Sequence, residues 1–270
     1  MTATMANTGY APVNGLEMYY EIHGIGEPLV LLHGAFATIG MWGPILEGLA
    51  AERQVIAVEF QGHGHTADID RPFGFEQSAD DIAALMEHLG IAQADVFGYS
   101  LGGSIALQVA MRHPERVRKL VTASATYHSD GYYPAILDGM QAITPEMFAG
   151  SPTEAAYLEV APDPAGWPAL IEKVKRLGGT PQDWPAADVA GIASPTLLIY
   201  GDADVIRPEH AVALFRLLGG GVAGDIVGLP RAQLAILPGT THVSLVDENT
   251  ERLVAMVEDF LAQPLAEPVP

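Results

Sequence analysis

Apolar residues recur along this chain with two different periods. Residues 29–32, 55–58, 96–99, 117–122, 196–200 and 234–237 form short, nearly continuous apolar runs, mostly ended by glycine or a polar turn. A run without polar alternation fits a strand covered on both faces. Between or after these runs, apolar residues return at helical spacing. Residues 78–89 do so, with Ile82, Leu85, Met86 and Leu89 on one side, as do 101–112, 209–218 and 248–261. Strand followed by helix, repeated, predicts a mostly parallel sheet with helices on both sides. After a mobile start, Asn14-Gly15 joins two extended segments. This dipeptide accepts the positive φ angles of a tight turn, so the chain is expected to open with a hairpin.

The alternation stops once. From Thr126 to Asp188 there is no strand-like run, while proline, tyrosine and tryptophan accumulate. A helical insertion over residues 127–187 is therefore expected on top of a core formed by 1–126 and 188–270. The stretch GGGVAGDIVGLP at 219–230 reads as a long glycine-rich connection. Its glycines follow a helix, not a strand, which argues against a phosphate cradle. No internal repeat is evident, and the tail QPLAEPVP is expected to be disordered.

Composition narrows the setting. A chain of 270 residues, 49% of them apolar, can bury one large core carrying a decoration. It lacks an uncharged apolar run of roughly 18 residues, so no membrane span is expected. Thirteen Lys and Arg stand against 33 Asp and Glu, a net charge of −20. Such a surface repels nucleic-acid phosphates and anionic lipid, and neither is expected as a partner. The absence of cysteine excludes disulfides, thiolate metal sites and a thiol nucleophile. The start, MTATMANTGY, has no basic or apolar leader character, so a cytoplasmic protein is expected.

One stretch carries chemistry. Gly98-Tyr99-Ser100-Leu101-Gly102 lies where a strand run gives way to a helical pattern. A residue at such a sharp turn adopts strained backbone angles, and the flanking glycines avoid collisions with neighbouring strand and helix. The serine oxygen is thereby lifted above the carboxyl ends of the strands, beside a helix N-terminus that favours negative charge. A serine hydroxyl attacks only if a base takes its proton and an acid orients that base. Of nine histidines, only His242 follows the last strand run, in LPGTTHVSL, where a loop can return its ring to the serine. His128, in the insertion, is the other histidine able to fold over the site. For the acid, YGDADVIRP offers Asp202 and Asp204, which local physics barely separates. His63-Gly64-His65 with Asp68 has the spacing of a metal pair, but a glycine-flanked turn accounts for it, and no metal is expected.

Taken together, these residues resemble the α/β-hydrolase family over nearly the whole chain, in the order Ser, Asp, His. LVLLHGAF looks like that family's turn after its third strand. EFQGHGHT resembles its D-x-x-G-x-G-x-[ST] turn, with Glu59 departing at the first position, a structural change outside the chemistry. The resemblance implies Asp204, three residues after the glycine in G-x-x-D, as the acid. It also implies backbone N–H groups of Leu101 and Ala35 as oxyanion donors, with Phe36 in place of Ala35 if the loop turns one residue later, and a structural role for His33. The fold implied is an α/β-hydrolase core with a helical cap, and the activity is hydrolysis of small to medium, largely apolar carboxylic esters through an acyl-enzyme, with no cofactor. C–C bond hydrolase, lactonase and perhydrolase chemistry would use the same three residues, and a ligand receptor on this scaffold is the non-enzymatic alternative. Phe36, Tyr99, Met140, Trp167 and Trp184, with Met147 nearby, are candidates for an apolar pocket, or equally for glue between insertion and sheet.

Overall fold

The computed structural model describes residues 7–264; the expected mobile start and most of the expected disordered tail lie outside them. Eight strands form one sheet in the order β1-β2-β4-β3-β5-β6-β7-β8. β1 (Asn7–Val13) and β2 (Leu16–His23) pair antiparallel around Asn14-Gly15, whose φ angles are 47° and 87°. β2 also runs antiparallel to β4 (Gln54–Val58). β3 (Pro28–Leu32), β5 (Ala94–Tyr99), β6 (Val117–Ala123), β7 (Thr196–Ala203) and β8 (Ala232–Thr241) continue the sheet in parallel.

The apolar runs behave as their pattern requires. Successive side chains of a strand point to opposite faces. In β3, Leu29 and Leu31 enter one core, while Val30 and Leu32 enter the other. Helices α1 (Gly43–Ala50) and α11 (Thr250–Ala262) cover the first face. Helices α2 (Phe75–His88), α3 (Leu101–Arg112) and α8 (Pro208–Leu217) cover the second. Buried Lys119 on β6 ties sheet to helix, its Nζ donating to the carbonyls of Phe260 and Leu261 at 3.0 and 2.9 Å near the end of α11. Among the described residues no helix is long and apolar enough to cross a membrane.

Between β6 and β7 lie α4 (Pro134–Ala142), α5 (Pro152–Val160), α6 (Trp167–Gly179) and α7 (Ala186–Ala190), none of which joins the sheet. Tyr157, Trp167, Leu170 and Ile171 give this segment a small core of its own. Side-chain ties fasten it below. Gln182 exchanges two hydrogen bonds with Thr126, at 2.6 and 2.7 Å, and Lys173 binds Asp68 at 2.7 Å.

Two strands outrun their sequence patterns. β7 continues to Ala203 beyond a register shift after Gly201, and β8 continues to Thr241. β8 borders the sheet on one side only, so it tolerates Pro238 and the left-handed Gly239 (φ 65°) inside it. The 219–230 connection contains one helical turn, α9 (Gly224–Val227), and α10 (Ser244–Asp247) follows β8 directly.

Candidate functional site

The site is built around Ser100, between fully buried β5 and the first residue of α3. Its backbone has φ 54° and ψ −117°, a conformation that L residues avoid and that neighbouring structure must enforce. The Ser100 N–H donates to Ala123 O at 2.8 Å, and Ser100 O accepts from Ser104 N at 3.1 Å. Glycine on both sides is a steric necessity. A Cβ on Gly98 would lie 2.1 Å from the Gly102 carbonyl oxygen, and one on Gly102 would lie 2.2 Å from that of Leu32.

The extended ends of β7 and β8 bring two further side chains to this point. His242, just past β8, has Nε2 2.9 Å from Ser100 Oγ and Nδ1 2.7 Å from Asp204 Oδ1. With an ionised carboxylate, Nδ1–H donates to Asp204 and Nε2 accepts the serine hydroxyl proton. Asp204 is buried and receives further donors: Ile206 N at 3.3 Å on Oδ1, Gly201 N at 3.4 Å and the Ser124 hydroxyl on Oδ2. Burial works against the charged form, but the bonds from His242 and Ser124 outweigh it and hold the Asp204 carboxyl below its usual range. Asp202 points elsewhere, exposed, accepting from Thr240 N at 3.1 Å.

Ser124 escaped sequence reasoning. It is a non-glycine residue at φ 53°, one position past β6, and nothing local in VTASAT announces that it turns toward Asp204. Tyr99 requires a correction. Its buried side chain lies behind the histidine instead of lining a pocket: its hydroxyl donates to His242 O at 2.9 Å and the two rings sit 5.1 Å apart.

On the open side of Ser100, the loop after β3 supplies Ala35 and Phe36, the latter at φ 62°. Among the described residues, the N–H groups of Ala35 and Leu101 donate to no backbone carbonyl. His33 anchors the loop, Nδ1 donating to Gly34 O at 2.7 Å and Nε2 accepting from Phe60 N at 3.3 Å. Burial pushes its pKa down to about 3, which keeps the ring neutral. Glu59 fills the turn below, its buried carboxylate accepting from Ile39 N at 3.0 Å and His65 N at 2.6 Å. The glutamate fits because Gly64 leaves it room: a Cβ there would lie 2.2 Å from Glu59 Cδ.

A cavity of about 130 Å³ opens beside Ser100, with Ala35, Leu101, Phe36, Phe75, Met140 and Leu177 in its walls. Trp167 and Trp184 are not among its lining residues, which corrects the pocket expectation. Trp167 packs inside the insertion with Phe36 against it, ring centroids 6.0 Å apart, and Trp184 meets Phe75 edge-on at 5.5 Å. Both act as glue. Met147 is exposed. His128 stays away from the serine, between Asp130 and Asp183. His63 and His65 are engaged by Gln61 O and Glu59, and among the described residues no group of three His, Asp or Glu is placed to hold a metal.

Known proteins with this pattern share the architecture. A family model described as "alpha/beta hydrolase fold" matches residues 27–156. RutD of Azorhizobium caulinodans is 36% identical over 123 residues, which spans 46% of this chain and only 46% of that protein. The pimeloyl-[acyl-carrier protein] methyl ester esterase of Neisseria meningitidis serogroup B is 31% identical over 87% of this chain and 93% of its own. Among solved structures, the enol-lactonase from Burkholderia xenovorans LB400 superposes with a TM-score of 0.72 at 22% identity, covering 94% of this chain and 100% of that one.

Proposed function

Because the chain belongs to the α/β-hydrolase fold family, we propose that it is a serine hydrolase acting on carboxylic esters of small, largely apolar acids. The observation that carries this reading is the hydrogen-bonded file Asp204–His242–Ser100 at the rim of an apolar cavity. Ser100 Oγ attacks the carbonyl carbon as His242 Nε2 takes its proton. Asp204 holds the ring with Nε2 facing the serine and balances the imidazolium charge. The tetrahedral oxyanion accepts hydrogen bonds from Ala35 and Leu101 N–H, at the amino end of α3. One such donor lowers the barrier by about 3 kcal/mol. The C–O bond to the alcohol breaks, and the alcohol leaves with the proton from His242. Water, deprotonated in turn by His242, then attacks the acyl carbon, and the acid departs as Ser100 regains its proton. These steps move protons and an acyl group only, so the reading calls for no cofactor. The segment 127–187 acts in it as a cap, closing the acyl pocket from above.

The test is covalent. A p-nitrophenyl phosphonate should label Ser100, and Ser100→Ala should fold normally yet lose hydrolysis of p-nitrophenyl esters by a factor of roughly 10³ or more. Full turnover by that variant would refute the assignment. Lactones and β-diketones offered beside the esters should turn over more slowly.

A further inference from the structure

The cavity beside Ser100 is apolar on most of its wall but carries one charge. Phe36, Phe75, Leu137, Met140, Ile143 and Leu177 contribute hydrocarbon, and Lys175 on α6 is the sole ionisable acid or base of that wall besides the phenol of Tyr132. Its cationic neighbours on the same helix are engaged: Lys173 binds Asp68 at 2.7 Å and Arg176 binds Glu172 at 3.0 Å. Lys175 is half-buried and forms no ion pair or hydrogen bond among the described residues. In a chain with 33 carboxylates and 13 cations, an ammonium left without a carboxylate inside a pocket stands out. Ser129 and Thr180 lie on the same wall with hydroxyls.

The other side of Phe36 has the opposite character. A wider groove, sharing Ala35 and Phe36 with the cavity, is lined by Glu21, Glu159 and Asp247, by Glu59 paired with His65 at 3.0 Å, and by neither lysine nor arginine. The two spaces that meet at Ala35 and Phe36 therefore differ in sign. An anionic group is welcomed on the cavity side and repelled on the groove side.

Resting on the esterase reading above, we propose that Lys175 receives a carboxylate at the far end of the acyl chain. The preferred substrates are then half-esters of short dicarboxylic acids with an uncharged alcohol. The apolar wall packs the methylene chain, Lys175 fixes its end by a charge-assisted hydrogen bond, and the alcohol faces the acidic groove.

The test compares p-nitrophenyl hydrogen adipate with p-nitrophenyl hexanoate, which share leaving group and chain length. The wild-type protein should favour the charged ester in kcat/KM by about tenfold, chiefly through KM, the size of one charge-assisted hydrogen bond. Lys175→Met should bring the ratio close to one, whereas Lys175→Arg should keep most of it. Added salt should compress the wild-type ratio and leave that of Lys175→Met unchanged. A third comparison, 4-carboxyphenyl hexanoate against phenyl hexanoate, moves the charge to the leaving group, where no gain is expected. The proposal is overturned if wild type shows no preference for the adipate, if Lys175→Met retains it, or if the gain follows the charge onto the leaving group. In each of those cases hydrolysis of the neutral ester still upholds the esterase reading; turnover of no ester, with Ser100 unlabelled, sinks both.

Discussion

Gly102→Ala tests whether the close approach of α3 to β3 sets the chemistry. The added Cβ would stand 2.2 Å from the Leu32 carbonyl oxygen and 2.5 Å from that of His33. Both are backbone atoms of the strand end and loop that lead to Ala35, so no side chain can swing aside. Reaching even 3.0 Å, the shortest separation real Cβ atoms tolerate, needs 3.0 − 2.2 = 0.8 Å of separation between helix and strand. That movement displaces Ser100 and the Leu101 N–H relative to Ala35, the geometry on which oxyanion stabilisation depends. Overpacking of this kind costs about 1–3 kcal/mol of stability. A misplacement approaching 1 Å costs about 10²-fold in rate. Because the oxyanion exists only after attack, the loss should fall mainly on kcat with little change in KM. The assay is steady-state hydrolysis of p-nitrophenyl acetate beside thermal unfolding, with Gly139→Ala as control. A Cβ at Gly139, on α4, meets nothing within 4 Å, and that variant should be neutral in both measurements. If Gly102→Ala kept kcat within about threefold of wild type, less than 1 kcal/mol of barrier, the elbow would not govern the oxyanion geometry and the reasoning would fail.

Two further outcomes follow from the site and the core. Asp204→Asn should lower kcat by roughly 10³–10⁴, since an amide favours the wrong imidazole tautomer, while Asp202→Asn, at an exposed position, should stay near wild type; the reverse order would reassign the acid. Folding should weaken in mild acid, because burial lowers the pKa values of His33, His63 and His210 to about 3, 4 and 4. These rings remain neutral in the folded chain while the unfolded chain protonates them below about 6.5, so their stability contribution is intact above that pH and lost on descent, at roughly 2 kcal/mol each by pH 5. Urea midpoints measured from pH 7 to 5 check this, and a flat profile would contradict it.

Much of the fold was legible because its central strands are buried on both faces, which leaves continuous apolar runs that no amphipathic helix imitates. The short helix α1, which opens on Gly43 and Pro44, has too few periodic positions to announce itself. That Ser100, Asp204 and His242 meet was legible because each sits just beyond a strand run and parallel strands deliver their ends to one edge. Contacts across the chain were not. Ser124 lies 80 residues before Asp204, and only coordinates reveal their bond. Tyr99 misled because, as the last residue of β5, it follows Phe97 into one core while the turn lifts its neighbour Ser100 out of the strand. Trp167 and Trp184 were ambiguous because an aromatic ring on a short helix packs inward or lines a space according to a helix orientation that periodicity leaves open. Lys175, in a run of charges, reads as an ordinary solvated position until α6 is seen to turn it toward the cavity.

The interruption of β8 has a second effect. A border strand exposes a row of unpaired amides and carbonyls, a template on which another molecule can extend the sheet. Pro238 offers no amide hydrogen to such a visitor, and the left-handed kink at Gly239 bends the row out of plane. The irregularity on the path to His242 therefore also blunts the rim against lateral polymerisation. Restoring a regular rim, with Pro238→Thr and Gly239→Val, is expected to raise the tendency to associate, which light scattering would measure.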